Sequence, residues 1–170
     1  MDPVRSFRAP WGRLLAIMTL IGCIALLGVP LMMLSVMPED DLPGIARTAM
    51  IVFFPLLLGI IALFSIRSFD VMQDGILVRR LFWTNRLLYE DLRSVRVDKD
   101  AMKGSIRVMG NGGLFSFSGR YRSRKLGGFT VYATDMKLSV ILRYSDRTVV
   151  LTPENPEEFA ELVRQFSSAL

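Results

Sequence analysis

Two unbroken apolar runs stand at the front of the chain, and nothing after them repeats the pattern. Leu14–Met37 carries no charged residue over 24 positions, and Thr48–Ile66 carries none over 19. At roughly 1.5 Å of rise per helical residue, each run is long enough to cross a hydrocarbon core of about 30 Å. The pattern predicts membrane helices over about 14–37 and 48–66. Residues 1–67 then form a membrane hairpin, and residues 68–170 form one soluble domain with its own small core. A buried core helix of this composition needs more protein around it than 170 residues supply. A cleaved signal peptide would explain the arginines ahead of the first run. It does not explain the length of that run, or its exit Leu34-Ser35-Val36-Met37-Pro38, which lacks a small-residue cleavage pattern.

After Arg67 the period shortens to that of strands separated by turns. Ser68–Met72, Ile76–Phe82, Arg86–Tyr89, Leu92–Val97, Ser105–Val108, Phe129–Ala133, Leu138–Tyr144 and Thr148–Leu151 are eight short strand-like segments, expected to build a framework of about seven strands. Gln73-Asp74-Gly75 and Ser145-Asp146 are hairpin turns. Only the end is helical. Asn155 is placed to N-cap, Pro156 suits the first helical position, and Glu158 completes a capping box. Phe159, Leu162, Val163 and Phe166 then fall on one face. The expected fold is α+β and mainly β: a bent seven-stranded sandwich or barrel with the helix plugging one open end.

Charge sets the orientation. Arg5, Arg8 and Arg13 precede the first span, and Arg67, Arg79 and Arg80 follow the second, whereas Glu39, Asp40, Asp41 and a lone Arg47 lie between them. The positive-inside rule places both termini in the cytoplasm and the acidic loop outside, with Trp11 as an interfacial anchor. Arginine outnumbers lysine 17 to 4, a bias of GC-rich bacterial genomes, so the expected location is a bacterial inner membrane. The chain has no histidine, which removes the usual triad base and the commonest metal ligand. Its one cysteine, Cys23, lies in the first span, where a thiolate is disfavoured. No ionisable side chain lies in either span, as an ion pathway would require. Residues 67–170 carry 17 basic against 12 acidic residues, net +5, which the nearby bilayer explains without nucleic acid.

The densest charge is Arg120-Tyr-Arg-Ser-Arg-Lys125, four cations in six residues between Gly119 and Gly127-Gly128. Arg120, Arg122, Arg124 and Lys125 are the candidate anion-binding residues, because guanidinium groups clamp phosphate or carboxylate bidentately. A solvated surface loop and nonspecific contact with an anionic leaflet account for the same residues. Asn111-Gly112-Gly113 lacks dinucleotide-binding spacing and reads as a turn or bulge; Leu114, Phe115 and Phe117 beside it read as core, with a wedge into the bilayer interface as the alternative. Gly22, Ala25 and Gly28 could let the second span approach the first closely. Asp98-Lys99-Asp100 holds the only close pair of aspartates in the soluble domain, on a loop, and no cofactor or metal is expected.

Three segments resemble a bacterial pleckstrin-homology (PH)-like family: Leu88-Tyr-Glu-Asp-Leu-Arg-Ser-Val95, the stretch from Asn111 to Asp135, and Val149-Val-Leu-Thr-Pro-Glu-Asn-Pro-Glu-Glu-Phe159. The resemblance covers roughly residues 68–168. It implies a PH-like domain behind two membrane spans, and no established activity. It also departs from PH domains that grip phosphoinositides around the first hairpin, because Gln73-Asp74-Gly75 has no basic residue. The expected function is a non-enzymatic scaffold that docks a partner protein, or a second copy of itself, at the cytoplasmic face. The alternative is recognition of an anionic lipid headgroup by residues 120–125, and an enzyme ranks a distant third.

Overall fold

The computed structural model describes residues 3–38 and 43–167. Glu39, Asp40 and Asp41 of the acidic loop lie outside the described residues. The two apolar runs form α1 (Arg13–Val36) and α2 (Gly44–Ala62), which continue through Pro30 and Pro55. Both are long and apolar enough to cross a membrane. Their surfaces are not those of core helices: no residue of α2 is buried, and α1 buries only Leu15, Thr19 and Pro30.

The remaining elements build two open sheets and a helix. The first sheet has the order β1-β2-β3-β4, from Arg5–Arg8, Ile66–Val71, Gly75–Arg80 and Thr84–Leu88. The second contains β5 (Leu92–Val97), β6 (Ile106–Gly112), β7 (Phe117–Ser123), β8 (Gly127–Ala133), β9 (Val140–Tyr144) and β10 (Thr148–Leu151). Its order is β5-β9-β10-β8-β7-β6, antiparallel except for the parallel β8–β10 pair. The C-terminal helix α3 spans Pro156–Ser167.

The expected PH-like plan of packed sheets closed by a C-terminal helix is present, but as ten strands among the described residues rather than seven, and as two open sheets rather than a closed barrel. Two strands escaped the sequence reading. One is β1, which precedes the membrane helices, pairs antiparallel with β2 and sets Phe7 opposite Phe69. Arg5–Arg8 reads as the charged flank of a span, and four residues are too few to show a period. The other is β7, whose charges disguise it. Arg120 and Arg122 are exposed while Tyr121 between them is buried, the alternation of a half-buried strand.

Because β1 precedes α1 and its partner β2 follows α2, the pairing brings the residues before the two helices and those after them together in one sheet. Only Leu63, Phe64 and Ser65 separate α2 from β2, so the domain starts where the helix ends.

The middle of the six-stranded sheet, β9 and β10, is buried on both faces. One face meets the four-stranded sheet and α3 in a core that includes Phe7, Phe69, Val78, Val140, Leu142, Leu151, Phe159 and Val163. The rings of Phe7 and Phe159 meet edge to face at 5.2 Å, so α3 closes the sheets against the strand that precedes the hairpin. The opposite face gathers Phe117, Tyr121, Phe129, Val131, Ile141 and Val150 under Leu15 of α1 and under Ala101 and Met102. Val140, Ile141 and Leu142 alternate between the two cores, as the pleat requires.

The family-like closing motif has a mechanical role here. The Thr152 hydroxyl accepts from the Thr134 N–H at 2.9 Å. Glu154 exchanges two bonds with Arg8, its carboxylate accepting from the Arg8 N–H and its own N–H donating to the Arg8 carbonyl. These contacts hold the N-terminal strand and the start of α1 against the domain.

Candidate functional site

The loop between β6 and β7 is locked to α1. The Asn111 side-chain oxygen accepts from the N–H groups of Gly113 and Leu114, an Asx turn that reverses the chain. The Thr19 hydroxyl donates to the Gly113 carbonyl at 3.2 Å and accepts from the Phe115 N–H at 3.0 Å. Phe115 has φ +65°, unusual for a bulky side chain, and its ring stacks edge-on with Trp11. Gly22 faces Leu114 of this loop: a Cβ there would lie 2.6 Å from Leu114 Cδ1. The small residue that could have admitted the second span instead admits the domain. Trp11, expected as an interfacial anchor, is 46% exposed and in contact with Phe115. Of the three apolar residues read as core, Phe117 is buried and Leu114 and Phe115 are half-buried against α1.

Beside this junction the two sheets part around a cavity of about 670 Å³. Ile61 and Phe64 from the end of α2 and Leu114 from the locked loop contribute its apolar lining. Arg80, Asn85, Arg107, Ser118 and Thr130 contribute its polar lining. The Arg80 guanidinium lies 5.8, 5.6 and 5.5 Å from the ring centres of Phe64, Trp83 and Tyr132, a three-sided aromatic cage. One of its terminal nitrogens donates to the Phe64 carbonyl at 3.1 Å, while its Nε is buried without a partner. Burial pulls the Arg80 pKa below the usual arginine value, only partly countered by Tyr132. The Asn85 side-chain oxygen is also buried without a partner. Arg107 donates to the Gly110 carbonyl at 3.3 Å. Gly110 and Gly119, paired across β6 and β7, both have positive φ, and a Cβ on either would come within 2.2 Å of a carbonyl oxygen opposite. Glycine is required there, and the irregular strand pair it permits also lines the cavity.

The sequence-predicted cations lie elsewhere. Arg120 and Arg122 sit within β7, opposite Thr130 and Gly128 of β8, while Arg124 and Lys125 form the β7–β8 turn. That turn is at the far end of the strands from the contact with α1, about 20 Å along them at roughly 3.3 Å per residue. Lys125 pairs with Asp98 and holds its carboxyl below the usual aspartate range. Arg120 and Arg122 line a groove of about 650 Å³ with Val108, Thr130, Arg147, Thr148 and Asp146. Next to it β6 is an open edge strand, with Ile106, Val108 and Met109 each about two-thirds exposed or more.

Several carboxylates have structural duties. Asp70, 2% exposed, accepts from Ser6 and Ser68 and pairs with Arg79, tying β1, β2 and β3 together. Asp74 in the first hairpin pairs with Arg86. Asp98 accepts from the Asp100 N–H at 3.0 Å, so that close aspartate pair shapes a turn. Among the described residues, no three of His, Cys, Asp and Glu gather in a metal-ligating group.

Sequence reasoning used Arg80 as a flanking charge behind the second span and passed over Arg107. A local signal existed for the first. Adjacent strand residues face opposite ways, so with Arg79 turned to Asp70, Arg80 turns toward Trp83. No curated protein and no solved structure matches the chain. A family model described as "Bacterial PH domain" matches residues 67–167, more than half of the chain and every element from β2 to α3. The chain is therefore a member of the bacterial PH domain family.

Proposed function

We propose that the protein is a membrane-anchored, non-enzymatic scaffold that docks an extended acidic segment of a partner protein along β6 and the arginine face beside it. It works at the cytoplasmic face of a bacterial inner membrane, with both termini inside and only Pro38–Arg47 outside. The arginines at positions 5, 8, 13, 67, 79 and 80, against a lone Arg47 between the spans, support that orientation.

The observation that carries this reading is the open edge of β6 itself. An unpaired edge offers a row of backbone donors and acceptors to an incoming strand, and its exposed apolar side chains supply contact area. Arg120 and Arg122 stand one strand away, so an acidic segment is matched in charge. A second copy added antiparallel to β6 would set Arg107, Arg120 and Arg122 near their own counterparts, where like charges repel. Lipid recognition by residues 120–125 remains the alternative. The place of Arg124 and Lys125 at the end of β7 remote from α1, together with the Lys125–Asp98 pair, favours the protein partner.

The test uses the full-length chain in uncharged nanodiscs. A peptide alternating Glu and Val should bind, while one alternating Lys and Val should not. Arg120→Ser with Arg122→Ser should weaken the acidic peptide roughly tenfold or more, as expected for loss of charge-assisted hydrogen bonds. Equal binding of both peptides, or of both proteins, overturns the reading. Binding to anionic vesicles that falls in Arg120→Ser, Arg122→Ser, Arg124→Ser, Lys125→Ser, with no peptide binding, transfers the face to lipid.

A further inference from the structure

We propose that the cavity beside the membrane helices holds one anionic phospholipid, with its phosphate between Arg80 and Arg107 and its acyl portion leaving past Ile61 and Leu114. This site shares Arg107 with β6 but takes a different ligand from the docking face, and Arg120→Ser with Arg122→Ser separates the two below.

Three observations converge on this ligand. The first is unspent donor capacity. Arg80 is caged by three rings, uses one nitrogen on the Phe64 carbonyl and leaves its Nε buried and unpartnered. Neither Arg80 nor Arg107 meets a carboxylate among the described ion pairs, whereas the neighbouring Arg79 and Arg86 do. Two guanidinium groups facing one cavity without a counter-anion leave that site electrostatically incomplete. Phosphate, with oxygens that can accept from both, completes it.

The second is where the cavity opens. Ile61 belongs to the last turn of α2, and Leu114 packs on Gly22 of α1. Beyond them, Ile60 and Ile21 are 47% and 58% exposed, so the apolar lining passes into the surfaces read as lipid-facing. A ligand charged at one end and apolar at the other fits this gradient. A free inorganic anion leaves the apolar part unused, and a neutral lipid leaves the guanidinium groups unpaired. The third is the Asn85 side-chain oxygen, buried without a donor. A headgroup hydroxyl supplies one, which favours a glycerol headgroup over choline.

The experiment uses the full-length chain in detergent and nanodiscs, with phosphatidylglycerol and phosphatidylcholine as lipid probes and glycerol phosphate as the soluble one. Native mass spectrometry should find one phosphatidylglycerol retained per chain, in preference to phosphatidylcholine by roughly tenfold or more, the scale of one charge-assisted hydrogen bond. The chain has two tryptophans, so a Trp11→Phe background leaves Trp83 at the cavity as sole reporter. Phosphatidylglycerol brominated near the headgroup should quench it more than brominated phosphatidylcholine does. Arg107→Gln should abolish the preference, as should Arg80→Gln. Arg107 is exposed and, among the described residues, gives one side-chain hydrogen bond, to the Gly110 carbonyl, so its variant keeps the test valid if Arg80→Gln misfolds. Arg120→Ser with Arg122→Ser should leave retention unchanged, which separates this site from the docking face. Equal retention of the two lipids, a preference that survives Arg107→Gln, or displacement of the retained lipid by millimolar glycerol phosphate would each overturn the proposal, the last by assigning the site to a soluble phosphate.

Discussion

At one end of β7, Phe117 is buried in a cluster with Leu15 and Ala133, and the loop before it is bonded to Thr19. At the other end, Arg122 and Arg124 stand exposed and Lys125 pairs with Asp98 across the surface. The same strands therefore join a fixed end to a free one. The fixed end is poor in charge and assembled from distant parts of the chain: the start of α1, the end of α2 and residues 111–116. The free end is dense in charge and local in sequence. Charge density marked the surface that is cheapest to leave in water. The pair of arginines without counter-ions, Arg80 and Arg107, became neighbours only through the fold.

The largest effect should come from the contact between helix and sheet. Leu15 is fully buried although it lies in the first turn of a helix that otherwise buries only Thr19 and Pro30. Leu15→Ala should cost about 2–5 kcal/mol of domain stability, as core truncations do. Arg124→Ser should stay within about 0.5 kcal/mol, as exposed substitutions do. Thermal unfolding of the full chain in one detergent compares them. Similar melting temperatures for the two variants would mean that α1 is no part of the domain and would erase the contrast between the ends.

A finer cut is Thr19→Val, which keeps the shape and removes the hydroxyl. It leaves the Gly113 carbonyl and the Phe115 N–H without that partner, at a cost of roughly 1–3 kcal/mol. Hydrogen exchange should accelerate over residues 113–116 and stay unchanged over 124–127. Acceleration spread evenly along the β6–β7 hairpin would show that the loop is not held by the helix in particular.

The sequence disclosed what rests on local period or local charge. The two apolar helices emerge within about four residues at each boundary, because uncharged apolar runs of this length favour helix throughout. The last helix emerges at Pro156, its apolar face carried by Phe159 and Val163. Hidden were the features that depend on partners far along the chain. Phe7 is a core residue only because β1 finds β2 some sixty residues later. Gly22 belongs to a groove for Leu114, which no pattern within a helix can announce. The cavity draws on Ile61, Arg80, Arg107 and Tyr132, each ordinary where it stands in the sequence.

The smallest expected effect is a difference in how the two ends answer pH. Near the fixed end, the Tyr121 hydroxyl donates to the Asn111 carbonyl at 2.9 Å, and burial raises its pKa, Arg107 opposing. A group raised on folding contributes stability that is fully present below its unfolded pKa, about 10 for tyrosine, and is lost as pH climbs beyond it. At the free end the sign reverses. The hydrogen bond from Lys125 is the main cause lowering the Asp98 pKa, so that contribution is present above about pH 4 and is lost as acid protonates the folded carboxylate. The pair is partly exposed and screened, so it should contribute roughly 0–1 kcal/mol. Lys125→Ser should therefore narrow the gap in melting temperature between pH 6 and pH 3 by only a degree or so, and 1 M salt should do the same. Tyr121→Phe should leave that acid gap untouched and flatten the decline above pH 10. If Lys125→Ser instead lowers stability at pH 6 as much as Thr19→Val does, the basic turn is structural, and the arginines beside it lose their claim to be a free face awaiting a partner.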